Sequence, residues 1–469
     1  MNNSRSLSRR TLIRAGGATA LGAGAATALA RPAAARHRAP SADYDAIVIG
    51  AGFAGATAAR DLRDKGLRPL VLEARDRIGG RVWSTTHFGE QIELGGTWLH
   101  PNYHRTYAEM RRYGLTTVGD VAPTTFIVPT ESGYRPVDPV ATGARMDELL
   151  GQIFDGSRQY FERPEEPLFR ADLLAKVDRL SLADRMTQLR LSTQDLNLIE
   201  GQMATYSGGN AAQGGLTALA QWWALCGWTP EGWNQMNAAR VKDGAVTLIQ
   251  AILDGAQADV RLSTPVAKIS EAGGRVTVTT KSGTQFSAPV AVVAVPLNKW
   301  KSIQFSPGLP AVHAAATKEG VGIRPIAAKM WIRLAGNLER VAVQGAAGDP
   351  IASMFTHGYL SNGDSLMIAI NGPGLDVTSK ASVDAAIKRV LPDSRVVDMR
   401  VQDWANDPFS DGGWGMRKPG QMLRQLPAIH QPHGRITFAN GDMPSGWIGS
   451  FEGAIETGAR AASQAAALV

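Results

Sequence analysis

"DAIVIGAGFAGATAARDLRDKGLRPLVLEA", Asp45 to Ala74, is the stretch that decides the fold. It opens with a continuous apolar run of strand length that ends on a glycine turn. A segment of helical period follows and stops at Gly66, and a second apolar strand closes the stretch. Strand, helix, strand is a βαβ unit, and it demands a parallel sheet. The turn carries Gly50, Gly52 and Gly55 in Gly-x-Gly-x-x-Gly order. Gly50 permits the tight turn, Gly52 lets the backbone reach a pyrophosphate, and Gly55 lets helix pack on strand, so the helix N-terminus faces the phosphate. Glu73 ends the second strand 18 residues after Gly55, where its carboxylate meets the ribose hydroxyls of a dinucleotide. An acid there repels the 2′-phosphate of NADP but leaves FAD and NAD equally open.

Outward from this unit the chain is that of a globular protein: 469 residues, 44% hydrophobic and 19% charged, enough for two or three domains with a large core. Glycine is frequent, at 51 residues, which suits tight turns and close backbone approach to a ligand. The formal charge of +7 is misleading. Six arginines and no acid fall within residues 1–36, which leaves +1 on the rest. A nucleic-acid partner therefore loses its electrostatic basis. The lone cysteine, Cys226, excludes an intramolecular disulfide and a cysteine-based zinc site, and reads as a small core residue; no metal site is expected.

Residues 1–36 have the parts of a signal peptide: a positive start, a mildly apolar Ala/Gly-rich stretch, and small-residue cleavage sites at Ala28-Leu29-Ala30 or Ala33-Ala34-Ala35. The apolar stretch is short and weak for a permanent membrane span. "SRRTLIR" resembles the twin-arginine export signal at Ser8, Arg9, Arg10, Leu12 and Arg14. That resemblance implies the twin-arginine machinery as a partner. It also implies a mature protein that is periplasmic, in the cell envelope or secreted, with no stable membrane span.

The later chain alternates in texture. From about 105 to 225 helical period dominates, as in "RMDELLGQIFDGSRQYFER". Strands resume at "RLSTPVAKISEAGGRVTVTTKSGTQFSAPVAVVAVPL", where "RVTVTT" and "TQFSAP" form a hairpin and "VAVVAV" a buried strand. "AAKMWIRLA", "SLMIAING" and "VVDMRVQDW" are further strands around a helix in "SVDAAIKRVL". "RITFANGD" and "FEGAIETGARAASQAAAL" end the chain as strand and helix. The expected fold class is α/β (α+β). A discontinuous Rossmann-like dinucleotide domain is assembled from both chain ends, with a substrate domain of mixed sheet and helices threaded between.

"EARDRIGGRVWS" resembles the flavin-containing amine oxidase superfamily, which includes monoamine and polyamine oxidases. So do "ELGGTWLHP", "TPVAKI" and "ITFANGDMPSGWIGSFEGAIETGARAA". The resemblance covers nearly all of the chain after residue 36 and is thinnest from 105 to 240. It implies noncovalent FAD. Glu73, with Ala74 beside it, would take the adenosine ribose; Arg75 and Arg81 would line the pyrophosphate side, and Gly79 and Gly80 would pass close to the cofactor. Gly95, Gly96, Thr97 and Trp98 would form the flavin-side loop, and Val266 would meet the adenine edge. Gly441, Asp442, Trp447, Ile448 and Gly449 would form the C-terminal flavin segment, Asp442 on the ribityl chain and the following helix N-terminus on the flavin's pyrimidine edge. The implied organisation is FAD-binding pieces at 43–104, 236–300 and 406–469, a helical substrate region at 105–235 and a substrate sheet at 301–405.

Lys329 is the sharpest catalytic candidate. Ala327, Lys329 and Trp331 share one face of an alternating strand, so the lysine points toward core or cofactor unless the strand is an exposed edge. The resemblance places a lysine there that holds a water near the flavin. Trp414 falls where relatives place an aromatic wall or a flavin-tethering cysteine; the second wall would fall at Ser450, which is not aromatic. His100 is either a substrate-orienting group or a satisfied structural histidine. Trp222 and Trp223 are candidates for the substrate pocket, with core packing as the competing role. The flavin-side loop lacks the arginine that amino-acid oxidases of the superfamily use for a carboxylate, which favours simple amines. The implied reaction is hydride transfer from the amine α-carbon to flavin N5, giving an imine that hydrolyses to aldehyde or ketone. Reoxidation would be by O2, giving peroxide, or by a cytochrome-type carrier. The alternatives are a flavin desaturase of an isoprenoid or porphyrinogen, and a noncatalytic FAD-binding redox partner.

Overall fold

A computed structural model describes residues 44–322 and 326–469; the leader at 1–36 lies outside them. β1, Ala46–Ile49, is buried along its whole length, as a strand covered on both faces must be. α1, Phe53–Asp64, leaves the glycine turn, and β2, Pro69–Leu72, returns parallel to β1 with Ala46 opposite Pro69. The turn tolerates nothing larger than glycine. Gly50 has φ of +110°, and a Cβ at Gly55 would lie 1.9 Å from the Gly50 carbonyl oxygen.

Three strands from far along the chain complete this sheet. The parallel order runs Asp259–Arg261, β2, β1, Val290–Val293 and Ile436–Phe438. The last helix, Phe451–Ala466, packs on α1, with a Phe53–Phe451 ring contact of 4.7 Å between centroids. The dinucleotide domain is thus discontinuous, as expected from sequence. Beside it lies a four-stranded sheet in the order Gln285–Ala288, Arg275–Thr280, Val266–Ala272 and Gln304–Ser306. Arg275–Thr280 and Gln285–Ala288 are the expected hairpin. Gln304–Ser306 falls in the segment read as substrate sheet, but it pairs with Lys268–Ser270 of this one.

The second large sheet has seven strands in the order Val396–Asp403, Ala328–Leu334, Ser365–Asn371, Ile351–Tyr359, Val341–Gln344, Thr125–Thr130 and Gly133–Val137. One face buries Met330, Ile332, Met354 and Met367 against Val383 and Ile387 of the helix Lys380–Lys388. The other face, carrying Trp331 and Ile368, packs on Ile92 and Leu94. The hairpin Thr125–Val137 corrects the reading of 105–235 as helical alone. Its alternation is short and broken by Pro129 and Pro136, so the helices that follow it mask it; these include Pro139–Ile153, Thr193–Tyr206 and Leu216–Leu225. Among the described residues no helix is long and apolar enough to cross a membrane.

The packing at the turn gives a direct test. Gly55→Ala drives a Cβ into backbone, whereas Gly66→Ala at the end of α1 meets open space and bears only the left-handed φ of +83°. Gly66→Ala should cost about 1–2 kcal/mol. Gly55→Ala should cost clearly more, read as the shift of the urea unfolding midpoint. Equal midpoints would show that the turn relaxes freely.

Candidate active site

One cavity of about 1030 Å³ runs from the C-terminal edge of the parallel sheet to the face of the seven-stranded sheet that carries Lys329. At the sheet edge its wall contains Gly50, Gly52, Glu73, Ala74, Gly79, Gly80 and Val266. Glu73 is oriented by its own backbone surroundings. The Ala51 and Arg75 N–H groups each donate to its carboxylate, both at 2.8 Å. α1 begins at this wall with Gly52 as a cap that offers no side-chain acceptor, and its first turn holds no acid. Unsatisfied N–H groups and an uncompensated helix dipole make this end an anion site. A cavity long enough to join that anion site to a buried lysine, with the Glu73 carboxylate fixed on its wall, fits FAD.

The two arginines expected on the pyrophosphate side, Arg75 and Arg81, are already engaged within the protein. Arg75 pairs with Asp407 and donates to the Ser410 hydroxyl at 3.0 Å. Arg81 donates to the Gly413 carbonyl at 2.8 Å and to Asp442 at 2.6 Å. Both lie on the wall, fixed rather than swinging free. Asp442 is a correction. It is 2% exposed and absent from the wall, because one oxygen holds Arg81 and the other accepts the Leu297 N–H at 3.1 Å. It therefore positions Arg81 instead of presenting itself to a ribityl chain. Trp447 and Ile448 also lie behind the wall, while Gly441, Gly449 and Ser450 form it. Trp447 is turned inward, packed against His100 at 5.0 Å and edge-on to Tyr103 at 4.9 Å. Ser450 caps the last helix, its hydroxyl accepting from the Gly453 N–H.

At the far end Lys329 is 4% exposed on a strand flanked on both sides, which removes the exposed-edge alternative. Its Nζ donates to the Thr97 hydroxyl and to the Gly95 carbonyl at 3.1 Å, and sits 4.4 Å from the Trp98 ring centroid. Trp98 is held in turn by Asp120, which accepts from its indole N–H at 2.7 Å and from Arg240 at 2.8 Å. Burial brings the Lys329 ammonium down to about 7, against the pull of Glu93 and Asp120. The lysine thus switches between charged and neutral near physiological pH. Trp414 lies on the same wall. The lone cysteine, Cys226, is elsewhere, buried against the Met236 sulfur at 3.7 Å.

His100 is a second correction. Its Nδ1 accepts the Asn102 N–H at 3.0 Å, so Nε2 carries the hydrogen and donates to the Gly232 carbonyl at 3.0 Å. Burial lowers its pKa, and it is absent from the cavity wall. It is the structural histidine of the two readings. Trp222 and Trp223 part company. Trp222 reaches the wall, whereas Trp223 packs on Phe154 and Trp233 at 5.5 and 6.2 Å. The helix turns about 100° per residue, and here that step carries Trp223 into the core. Tyr206, Phe126, Phe355 and Asp120 also line the compartment. No local motif marks them, although the alternation around Phe126 was the available signal.

Residues 53–466 match the family described as flavin containing amine oxidoreductase. The chain is 33% identical to a pseudooxynicotine dehydrogenase of Pseudomonas sp. over 90% of this chain and 86% of that one. It is 30% identical to the (S)-6-hydroxynicotine oxidase of Paenarthrobacter nicotinovorans over 88% and 97%. Its fold matches a putrescine oxidase solved with putrescine bound at a TM-score of 0.75 and 21% identity, covering 90% of this chain and 98% of that one.

The buried lysine has a stability signature. Between about pH 7 and the ordinary lysine value near 10.4 the unfolded chain binds a proton that the folded one does not, so folding stability rises with pH across this window. Lys329→Met abolishes that dependence. Its unfolding temperature should exceed the parent's by more at pH 6 than at pH 9.5. A difference independent of pH would mean that Lys329 is not desolvated.

Proposed function

This chain belongs to the flavin-containing amine oxidoreductase family, and from that premise we propose that it oxidises a small apolar or aryl-substituted amine outside the cytoplasm. The observation that carries the reading is the single cavity that joins the dinucleotide anion site to Lys329. FAD, the family's cofactor, supplies when bound a two-electron acceptor for the hydride that leaves the amine's α-carbon. The protein's part is to hold and to dry. Phe126, Tyr206, Trp222, Phe355 and Trp414 enclose the amine in apolar walls that exclude bulk water. Lys329 holds a hydrogen-bonding ammonium or amine at Nζ, fixed by Thr97 and Gly95 and faced by Trp98. The imine hydrolyses in water to an aldehyde or ketone, and the electrons pass to dioxygen, giving hydrogen peroxide, or to a cytochrome-type carrier.

The walls favour a monoamine over a polyamine. A long polycation needs several free carboxylates, and of the wall's three acids Glu73 is tied to backbone and Asp120 to Arg240. Relatives are named a pseudooxynicotine dehydrogenase and a nicotine dehydrogenase, after aryl-substituted amines. The desaturase reading has no support among these relatives, and the noncatalytic one is set aside by the family's activity.

We also propose twin-arginine export of the FAD-loaded protein, on the pattern Ser8, Arg9, Arg10. Cavity walls drawn from Gly50 through Ser450 exist only after folding, and that route carries folded cargo.

Purified protein should show a flavin spectrum that bleaches anaerobically with an arylalkyl or cyclic amine, and admission of air or cytochrome c identifies the acceptor. Absence of flavin would overturn the reading. Lys329→Met should slow flavin reduction about 100-fold, and an unchanged rate would remove the lysine from the reaction. Arg9→Lys with Arg10→Lys should retain the protein in the cytoplasmic fraction of a bacterial host; unimpaired export would refute the route.

A further inference from the structure

We propose that Asp147 is the carboxylate on which the protonated amine first docks as it enters the cavity. This inference rests on the proposed amine oxidation and adds where the cationic form of the substrate is received. The helix Pro139–Ile153 turns Pro139, Gly143, Met146, Asp147 and Leu150 to the cavity. Apart from the adjacent Met146 and Asp147, their steps are of three or four residues, which sets them in a stripe along one side of the helix. That stripe is apolar or small except for Asp147, whereas the charged Arg145 and Glu148 are paired with each other off it. A carboxylate in an apolar stripe facing a cavity is costly unless it has a partner.

Within the described residues Asp147 accepts one hydrogen bond, from the Asn234 side-chain amide at 3.0 Å. No ion pair among those residues uses it. The other two acids of the wall are engaged, Glu73 by two backbone N–H groups and Asp120 by Arg240 and Trp98. Asp147 therefore keeps a charge that a cation can meet.

Its place in the cavity suits that role. Around Asp147 the wall reaches the surface at Val121, which is 48% exposed, and at the exposed Ala122, Asn234, Asn237 and Ala238. The cavity's other exposed wall residues, Lys281, Ser302 and Pro408, lie toward the dinucleotide end. The amine thus has its own mouth, with Asp147 on its rim and Lys329 buried beyond it. Aliphatic amines are almost wholly cationic at neutral pH, their pKa lying near the lysine value of about 10.4. A fixed anion at the mouth concentrates such a cation, and its effect falls as salt screens it.

The test uses the FAD-loaded protein and two non-reacting probes of one shape, benzyltrimethylammonium and its uncharged carbon isostere neopentylbenzene. Binding is read from the perturbed flavin spectrum. Asp147→Asn keeps the shape and the bond from Asn234. It should weaken the cation about tenfold, leave the neutral probe's affinity alone and flatten the cation's dependence on ionic strength. Asp147→Glu should restore that salt dependence. With an oxidised amine, Asp147→Asn should raise KM about tenfold with a far smaller change in kcat. The proposal is overturned if the parent protein does not prefer the cation, or if Asp147→Asn weakens both probes alike. These outcomes do not depend on turnover. If no amine bleaches the flavin, the functional reading fails while the comparison of probes still decides Asp147.

Discussion

Two helices from opposite ends of the chain meet backbone to backbone, and the remaining architecture depends on that contact. At Gly458 of the last helix a Cβ would lie 2.4 Å from the Ala54 carbonyl oxygen of α1. Helices this close need a residue without a side chain at the crossing. The contact sets the first and last segments of the fold side by side, so β1 and Ile436–Phe438 can share one sheet with Val290–Val293 between them. Everything from the seven-stranded sheet to the helical block is threaded through the loop so closed. A cavity with walls from both ends of the chain follows directly, because the edge of the parallel sheet opens toward whatever has been inserted.

The second constraint is electrostatic. A lysine buried at the end of that cavity is tolerable only with partners, and the structure supplies them from three directions: the Thr97 hydroxyl, the Gly95 carbonyl and the Trp98 face. Those partners belong to one short segment after Glu90–Glu93, held by Asp120 and Arg240 through the small sheet of Trp98–Leu99, Ala239–Val241 and Thr117–Val118. The Gly95–Trp98 loop and the lysine strand therefore stabilise each other's position. This coupling joins the dinucleotide domain to the seven-stranded sheet at the Lys329 end of the cavity.

The dinucleotide half of the site was legible in sequence because its determinants are local. Gly50, Gly52, Gly55 and Glu73 lie within one βαβ unit, and each answers to a backbone requirement of that unit. Lys329 was legible for a related reason: alternation along one strand fixes its face. The errors cluster where a side chain had two plausible partners. His100 and Asp442 have the chemistry of ligand-binding groups, but backbone N–H and C=O groups and Arg81 reach them first. Trp222 and Trp223 are adjacent in sequence, and only the rotation of the helix separates wall from core. The hairpin Thr125–Val137 was hidden by its prolines and by its distance from the five strands it joins.

The sequence by itself therefore determined the βαβ unit, the acid that closes its second strand and the face that Lys329 shares with Ala327 and Trp331, because short-range periodicity and steric demands write these into neighbouring residues. Tertiary structure alone decided which polar side chains remain free for a ligand. It placed Asp147 on a cavity rim, spent Asp120 on Arg240 and Trp98, and withdrew His100 into the backbone. The physical reason is competition. A polar group binds a ligand only if no nearer protein group satisfies it, and its neighbours in space are set by packing between segments more than a hundred residues apart.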